Sequence, residues 1–432
     1  MSPSHPTRAA LTPPPATPRW RRALAPATAA AVALSALGLA AAPAPAEAGA
    51  RARPPDAVQT ALEDLVGTGG FPGALASTRD RGGRVRDYTA GVADLATRAK
   101  VPRNGKVRIG STTKTFLATL VLQLAGEGKI DLDAPVETHL PGLIRANGND
   151  GRRFTVRQAL QHTAGLPDYE HDLLGSWQSW TQARHRYFEP RDVLDVGLTR
   201  QPAFAPGTGW AYSNTGYIAL GLLVQKITGR PLGEEITNRI ITPLRLRDTY
   251  WPGVGEQNIR GPHPKGYRAK ANEPGAELAE VTQLDPSWAW AAGQMISTPR
   301  DVNRFLGALL DGRLLKPDLL QQMKQTIAAP GFPKGWSYGL GLMKIELSCG
   351  GHAWAHGGDI SGYEVRNGAT EDGRAATVAV TAMPYTKPAA DQVNAALDTA
   401  LCAERQEAPQ RSKPSGGKGG KRPGHKFDRQ VI

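Results

Sequence analysis

The chain has 432 residues, two cysteines, 40% hydrophobic residues and a net charge of +13. That apolar content excludes a wholly disordered chain, and the cysteine count excludes a disulfide-built miniprotein. Residues 1–50 contribute +3 of the charge and residues 403–432 contribute +5, which leaves +5 for the stretch between; a basic pI produced this way is no argument for nucleic acid, and no nucleic-acid partner is expected.

In chain order, Arg19, Arg21 and Arg22 precede an Ala-rich apolar run from Ala27 to Ala42, with small residues at Ala44-Pro45-Ala46 and Ala46-Glu47-Ala48. This order predicts an export signal over residues 1–48, with Sec and twin-arginine routes both open. The run is shorter than the ~20 residues of a membrane helix, so no stable membrane anchor is expected. The protein is read as secreted or cell-wall associated. Residues 404–432 hold eight Lys/Arg and almost no apolar side chain, which predicts a disordered basic tail. Residues 51–403 are left as the folded domain, expected to be a monomer.

Within it, Val58, Leu62 and Leu65 mark a helix over 55–66. A hairpin is expected from Gly73–Thr78 and Val85–Val92 around Gly82-Gly83. Apolar spacing from Phe116 to Leu124 predicts a helix that ends near Gly126 and Gly128. Residues 136–289 read as mostly helical. Thr155 is an N-cap candidate for Val156–His162, and a strong helix spans Gly216–Thr228 before Gly229 and Pro231. Residues 176–188 gather Trp177, Trp180, Tyr187 and Phe188, either as local packing or as a lip facing substrate. Ser297-Thr298-Pro299 caps a helix over Asp301–Leu310. Strands are predicted at Trp336–Ile345, His352–His356, Gly362–Ala369 and Ala375–Met383, then a helix over 389–402. The order predicts an α/β (α+β) fold: an antiparallel sheet built from residues 55–135 and 290–403, flanked by helices, with 136–289 as an all-α insertion. Cys402 ends the last amphipathic run, from which a disulfide to Cys349 is expected if the compartment is oxidising.

Three short motifs carry chemistry. Ser111-Thr112-Thr113-Lys114 places a hydroxyl one helical turn before an amine, at the start of an apolar helix. A serine needs a neighbouring base and donors for the oxyanion, and this spacing supplies the base. The spacing alone is weak, since Ser415-Gly416-Gly417-Lys418 repeats it in the tail. Tyr212-Ser213-Asn214 precedes the helix of Gly216–Thr228 and offers a phenol for proton transfer and an amide for a carbonyl; the plainer reading is a helix cap. His356-Gly357-Gly358 follows a strand, with glycines that permit a close backbone approach; the plainer reading is a solvated turn histidine. His352 and His356 have no acidic or cysteine cluster beside them, so no metal and no cofactor is expected.

Taken in this order, the three motifs resemble those of the serine β-lactamase and penicillin-binding protein superfamily, in the branch of class C β-lactamases and secreted D-alanyl-D-alanine carboxypeptidases. Gly128 to Asp133, Leu140-Pro141-Gly142, His162 to Leu166, Gly207 to Asn214 and Ser297 to Asp301 extend the resemblance over residues 55–403. The resemblance implies that Ser111 is acylated, that Lys114 and Tyr212 move the proton in an unassigned order, and that Asn214 holds the acyl side of the substrate. It implies further that His356 orients Tyr212 and the leaving group, with Gly357 and Gly358 beside substrate. The N–H groups of Ser111 and Asp359 would form the oxyanion hole. The activity implied is carboxypeptidase-like hydrolysis of cell-wall peptides. An esterase, a D-amino-acid amidase, a β-lactamase-like hydrolase and a non-turnover penicillin-binding sensor are the alternatives. Met343, Gly357 and Asp359 stand where carboxypeptidases of this branch carry groups for a terminal carboxylate, and Asp359 would repel one. That leaves room for esters, amides or a substrate amino group facing Asp359.

Overall fold

The structure, a computed structural model, describes residues 56–407 apart from 272, 274, 384 and 385. The export signal, the basic tail and its Ser415–Lys418 pair lie outside these residues.

Strands β1 (Gly73–Arg79) and β2 (Val85–Gly91) form the expected hairpin. The remaining strands of the main sheet come from the end of the chain: β3 (Ile327–Ala328), β4 (Ser337–Tyr338), β5 (Met343–Glu346), β6 (His352–Ala355), β7 (Gly358–Ile360), β8 (Tyr363–Ala369) and β9 (Ala375–Val380). They pair antiparallel in the order β2-β1-β9-β8-β6-β5-β4-β3, with β7 as a short extra partner of β8. The two ends of the domain thus meet at β1–β9, where Ala74 faces Val380 and Leu75 faces Ala379.

Every residue of β9 is buried, because both sheet faces are covered. Ala74, Ala76, Val378 and Val380 point toward helix α1 (Ala57–Gly67) and the C-terminal helix, Lys387–Glu407, joining Val58, Leu62, Val393 and Leu397. Leu75, Val365 and Ala379 point the other way, to α2 (Thr113–Gly126) and to the helix Pro299–Leu310. There Phe116 and Phe305 stack with ring centroids 3.7 Å apart. Thr298 caps Pro299–Leu310 by accepting from Asp301 N–H, as its sequence predicts.

Residues 136–289 are mainly helical, with Thr155 and Gln158 forming a capping box. The helix α3 (Asn214–Thr228) is capped by the Ser213 side chain and stopped by Gly229 at φ 67°. A two-stranded pair, Tyr267–Ala269 with Leu278–Glu280, interrupts the expected all-α region. The predicted strand Trp336–Ile345 is in fact two strands, because Gly339 N–H bonds Leu342 C=O and folds Tyr338 back onto Met343. The C-terminal helix is longer than 389–402. A Cys349–Cys402 disulfide ties it to the turn between β5 and β6. Among the described residues, no helix is long and apolar enough to cross a membrane, and no group of three metal-ligating side chains converges.

Candidate active site

Ser111 sits in a tight turn, Gly110–Thr112, that leads directly into α2. The turn is fixed from three sides. Ile109 N–H donates to Met295 C=O at 3.0 Å. Thr112 Oγ1 donates to the His356 carbonyl at 3.1 Å, and Asn367 Nδ2 donates to Thr112 Oγ1 at 2.9 Å. Gly110 has φ 48°, and a Cβ there would lie 2.8 Å from Asp359 N.

Lys114 follows one turn later and is fully buried. Its Nζ lies 2.9 Å from Ser111 Oγ, 2.7 Å from Asn214 Oδ1 and 2.8 Å from the Ala292 carbonyl. Burial lowers this amine to about 7, against the opposing charges of Asp168, Glu170 and Asp359. A neutral amine has two N–H bonds, and Asn214 Oδ1 and Ala292 O can only accept. Its lone pair is then left facing Ser111 Oγ, which is the geometry of a general base.

Tyr212 lies across the same serine. Burial pushes its phenol well above the ordinary value, against the lowering effect of a hydrogen bond with Ser111, although part of the residue stays open to solvent. Lys114 Nζ is 4.9 Å from its ring centroid. A phenol raised above its ordinary value beside an amine lowered to about 7 favours Lys114 over Tyr212 as the proton acceptor.

Asn214 begins α3 and is buried. Its Nδ2 donates to Asp168 Oδ2 at 3.0 Å and Glu170 Oε2 at 2.8 Å, and its own N–H donates to Asp168 at 2.7 Å. With Oδ1 accepting from Lys114, both amide hydrogens of the residue expected to hold the acyl side of a substrate are taken by carboxylates of the protein. The polar groups presented outward here are the two carboxylates. The surrounding protein and then Asp168 push the Glu170 carboxyl up to about 7, even though the residue stands at the solvent-facing edge of the site.

His356 lies just past β6, buried, and burial followed by the Lys114 charge lowers it to about 3. Its Nδ1–H donates to the Gly357 carbonyl at 2.7 Å, so Nε2 accepts from Tyr338 Oη at 2.9 Å. His356 was expected to help orient Tyr212; their ring centroids are 6.4 Å apart, and its Nε2 hydrogen bond goes to Tyr338. The residue that holds Tyr212 is His162, which accepts the Ser213 N–H on Nδ1 at 3.1 Å and the Ala211 N–H on its carbonyl at 3.2 Å. Its ring lies 4.3 Å from that of Tyr212, and its Nε2 is 3.1 Å from Tyr338 Oη. With Nδ1 accepting, Nε2 carries the proton, so His162, Tyr338 and His356 form one neutral, directional chain. His162 lay in a stretch that carried the resemblance but was given no role. Tyr338 and Asn367 had no signal beyond lying in predicted strands.

Gly358 opens β7, the strand missed in the sequence. A Cβ there would sit 1.9 Å from the Ile109 carbonyl and 3.1 Å from Ser111 N. The close approach needed at Gly358 is therefore to the protein's own serine turn, and it sets the backbones of Ser111 and Asp359 side by side, as an oxyanion hole requires. Gly357 faces a guanidinium instead: its Cβ would lie 2.9 Å from Arg366 Nη1. The Asp359 side chain is about half exposed and bonded to Arg366 at 2.8 Å. Two of the 176–188 aromatics take the packing role. Trp180 and Phe188 pack inside, while Arg268 lies over the Trp177 and Trp180 rings and reaches Ser361 Oγ at 3.0 Å, one residue beyond β7.

A model of the Beta-lactamase family matches residues 58–401. Among curated proteins, the Protein flp of Staphylococcus aureus is 26% identical over 287 residues, 65% of this chain and 55% of flp, so the match spans about half the length of that relative. Among solved structures, a D-stereospecific amidohydrolase from Streptomyces sp. is 40% identical with a TM-score of 0.72, covering 79% of this chain and 97% of that one. A D-amino acid amidase from Ochrobactrum anthropi SV3 is 28% identical with a TM-score of 0.70, covering 81% and 98%.

Proposed function

The chain belongs to the β-lactamase family, and from that premise we propose that it hydrolyses amides of D-amino acids carrying a free α-amino group, through an acyl-enzyme on Ser111. At the coarser level it is a serine hydrolase of the β-lactamase and penicillin-binding protein fold. The observation that carries the finer reading is the pair Asp168 and Glu170 on Asn214, which turns the wall beside Ser111 and Lys114 acidic. An ammonium is the substrate group such a wall attracts. The named activities of the two structural relatives support the D-configuration and the amide bond.

In this mechanism neutral Lys114 takes the Ser111 proton as Oγ attacks the amide carbon, and the N–H groups of Ser111 and Asp359 receive the developing oxyanion. Tyr212 relays the proton to the departing nitrogen. The C–N bond breaks, the amine leaves and an ester to Ser111 remains. Water, deprotonated by the same base, then releases the D-amino acid.

The carboxypeptidase reading needs a cation for a terminal carboxylate. Arg366, the guanidinium beside β7, is held by Asp359 and Glu364. We therefore rank amides above peptides with a free terminus. The disulfide fits an oxidising compartment and supports reading residues 1–48 as an export signal.

The test compares D-phenylalanine amide, its N-acetyl derivative, its L-enantiomer and acetyl-D-Ala-D-Ala, each with a Ser111→Ala control. Fast hydrolysis of the first alone is expected. An equal rate for the N-acetylated amide would remove the amine-recognition reading, and a dominant rate on acetyl-D-Ala-D-Ala would restore the carboxypeptidase.

A further inference from the structure

Arg366 projects from β8 beneath β7, with only 14% of its side chain exposed. It donates from Nη1 to Asp359 Oδ1 at 2.8 Å and from Nε to Asn394 Oδ1 at 3.1 Å, and Nη2 lies 2.5 Å from Glu364 Oε1. Glu364 is fully buried. The ion contact with Arg366 is what its carboxyl has, since neither oxygen has a hydrogen-bond donor in good geometry. Gly357 leaves room for this guanidinium, since any Cβ would collide with Nη1. The partners differ in access: Glu364 is interior, whereas Asp359 stands half exposed on the strand whose backbone adjoins Ser111.

A guanidinium at the edge of an acylation site is suited to bind a carboxylate through a charge-assisted hydrogen bond, here from Nη1, which also donates to the Val365 carbonyl at 3.1 Å. Here a carboxylate of the same chain occupies it. We propose that Asp359 is a built-in occupant of a carboxylate receptor formed by Arg366, so that the leaving-group side of the site accepts neutral amides and rejects free carboxylates. Removing the Asp359 side chain exposes Nη1 toward the cleft and removes the charge that repels an anion. Glu364 would still offset the guanidinium. Burial, opposed by Arg366 and assisted by Asp359, raises its carboxyl, and without Asp359 it ionises more readily. Full conversion therefore requires Glu364→Gln as well. The inference rests on the amidase reading for the identity of the site but not on turnover.

The test is read by binding in a Ser111→Ala background, as the ratio of dissociation constants for D-Ala-D-Ala and D-Ala-D-Ala amide. With Asp359 present the amide is expected to bind more tightly. Asp359→Ser with Glu364→Gln is expected to shift the ratio toward the free acid by about tenfold or more, the worth of a charge-assisted pair. Adding Arg366→Met should cancel most of that shift. Asp359→Asn alone, which keeps the shape of the strand, should give a smaller shift in the same direction and guards against misfolding of the double variant. An unchanged ratio, an equal shift without Arg366, or failure of both dipeptides to bind the double variant would overturn the proposal. Failure of wild-type protein to hydrolyse any D-amino-acid amide would overturn the function reading and leave this ratio to be judged separately.

Discussion

Lys114 is held in a state that is unusual for its residue type, and the consequence is a pH dependence with a definite sign. Its amine, lowered to about 7 by burial, must be neutral to accept the Ser111 proton, so kcat/KM should rise as pH increases through about 7. Glu170, raised to about 7, gains its charge over the same interval and adds to that limb for substrates with an ammonium. An α-amino group loses its proton near ~8. D-amino-acid amides should therefore give a bell with its maximum between these limbs, whereas an N-acetylated substrate should show only the rise. Lys114→Met should lower kcat/KM by about 10²- to 10⁴-fold with little change in fold, measured with circular dichroism alongside. His162 makes a second residue-scale case. It adopts φ 62°, in the left-handed region that Asn, Asp and His enter more readily than other side chains, and clamps the backbone on both sides of Tyr212. His162→Asn keeps an acceptor and tolerates that φ, and should retain about tenfold more amidase kcat than His162→Leu. The Leu variant strands the buried Ser213 N–H at a cost of about 1–3 kcal/mol, visible in thermal unfolding.

At the scale of elements, the site is a junction of the Ser111 turn, the start of α3 and the short strand β7. The serine turn and α3 were legible in the sequence because each joins a polar start to an apolar period of three and four, with Thr and Gly signals at the ends. The α3 start was placed two residues late: the helix begins at Asn214, with Ser213 as its cap. β7 was not legible: three residues cannot show an alternation, and although β7 pairs with the neighbouring β8, its close approach to Ile109 and Ser111 joins residues far apart in sequence. Gly358→Ala tests that contact. A methyl group 1.9 Å from the Ile109 carbonyl has to displace β7, and a displacement near 1 Å at a reacting centre costs about 10²-fold in rate. The acylation rate by intact mass should fall by roughly that factor while secondary structure is retained. A wild-type rate would show that β7 does not set the oxyanion geometry.

The described residues build one sheet by bringing the two ends of the folded domain together, with β1 beside β9 and the helices of both ends on one face. That much followed from the order of strands and helices in the sequence, as did the Cys349–Cys402 pairing. The neutral His162–Tyr338–His356 chain and the Arg366 ion cluster did not, because they join residues whose sequence neighbourhoods carry no common signal. The disulfide closes a loop of 53 residues, which on a chain-entropy account is worth about 4 kcal/mol at most. Cys402→Ser should lower the thermal midpoint accordingly yet leave amidase activity per folded molecule unchanged, since the bridge lies at the far end of β5 and β6 from Ser111. Acylation of Ser111 is read by intact mass and peptide mapping during turnover of a D-amino-acid ester with a free amino group. The expected result is a mass increase equal to the D-aminoacyl group on Ser111, absent in Ser111→Ala and long-lived in Lys114→Met when acylation is forced by a good leaving group. Acylation at any other residue, or turnover undiminished in Ser111→Ala, would contradict it.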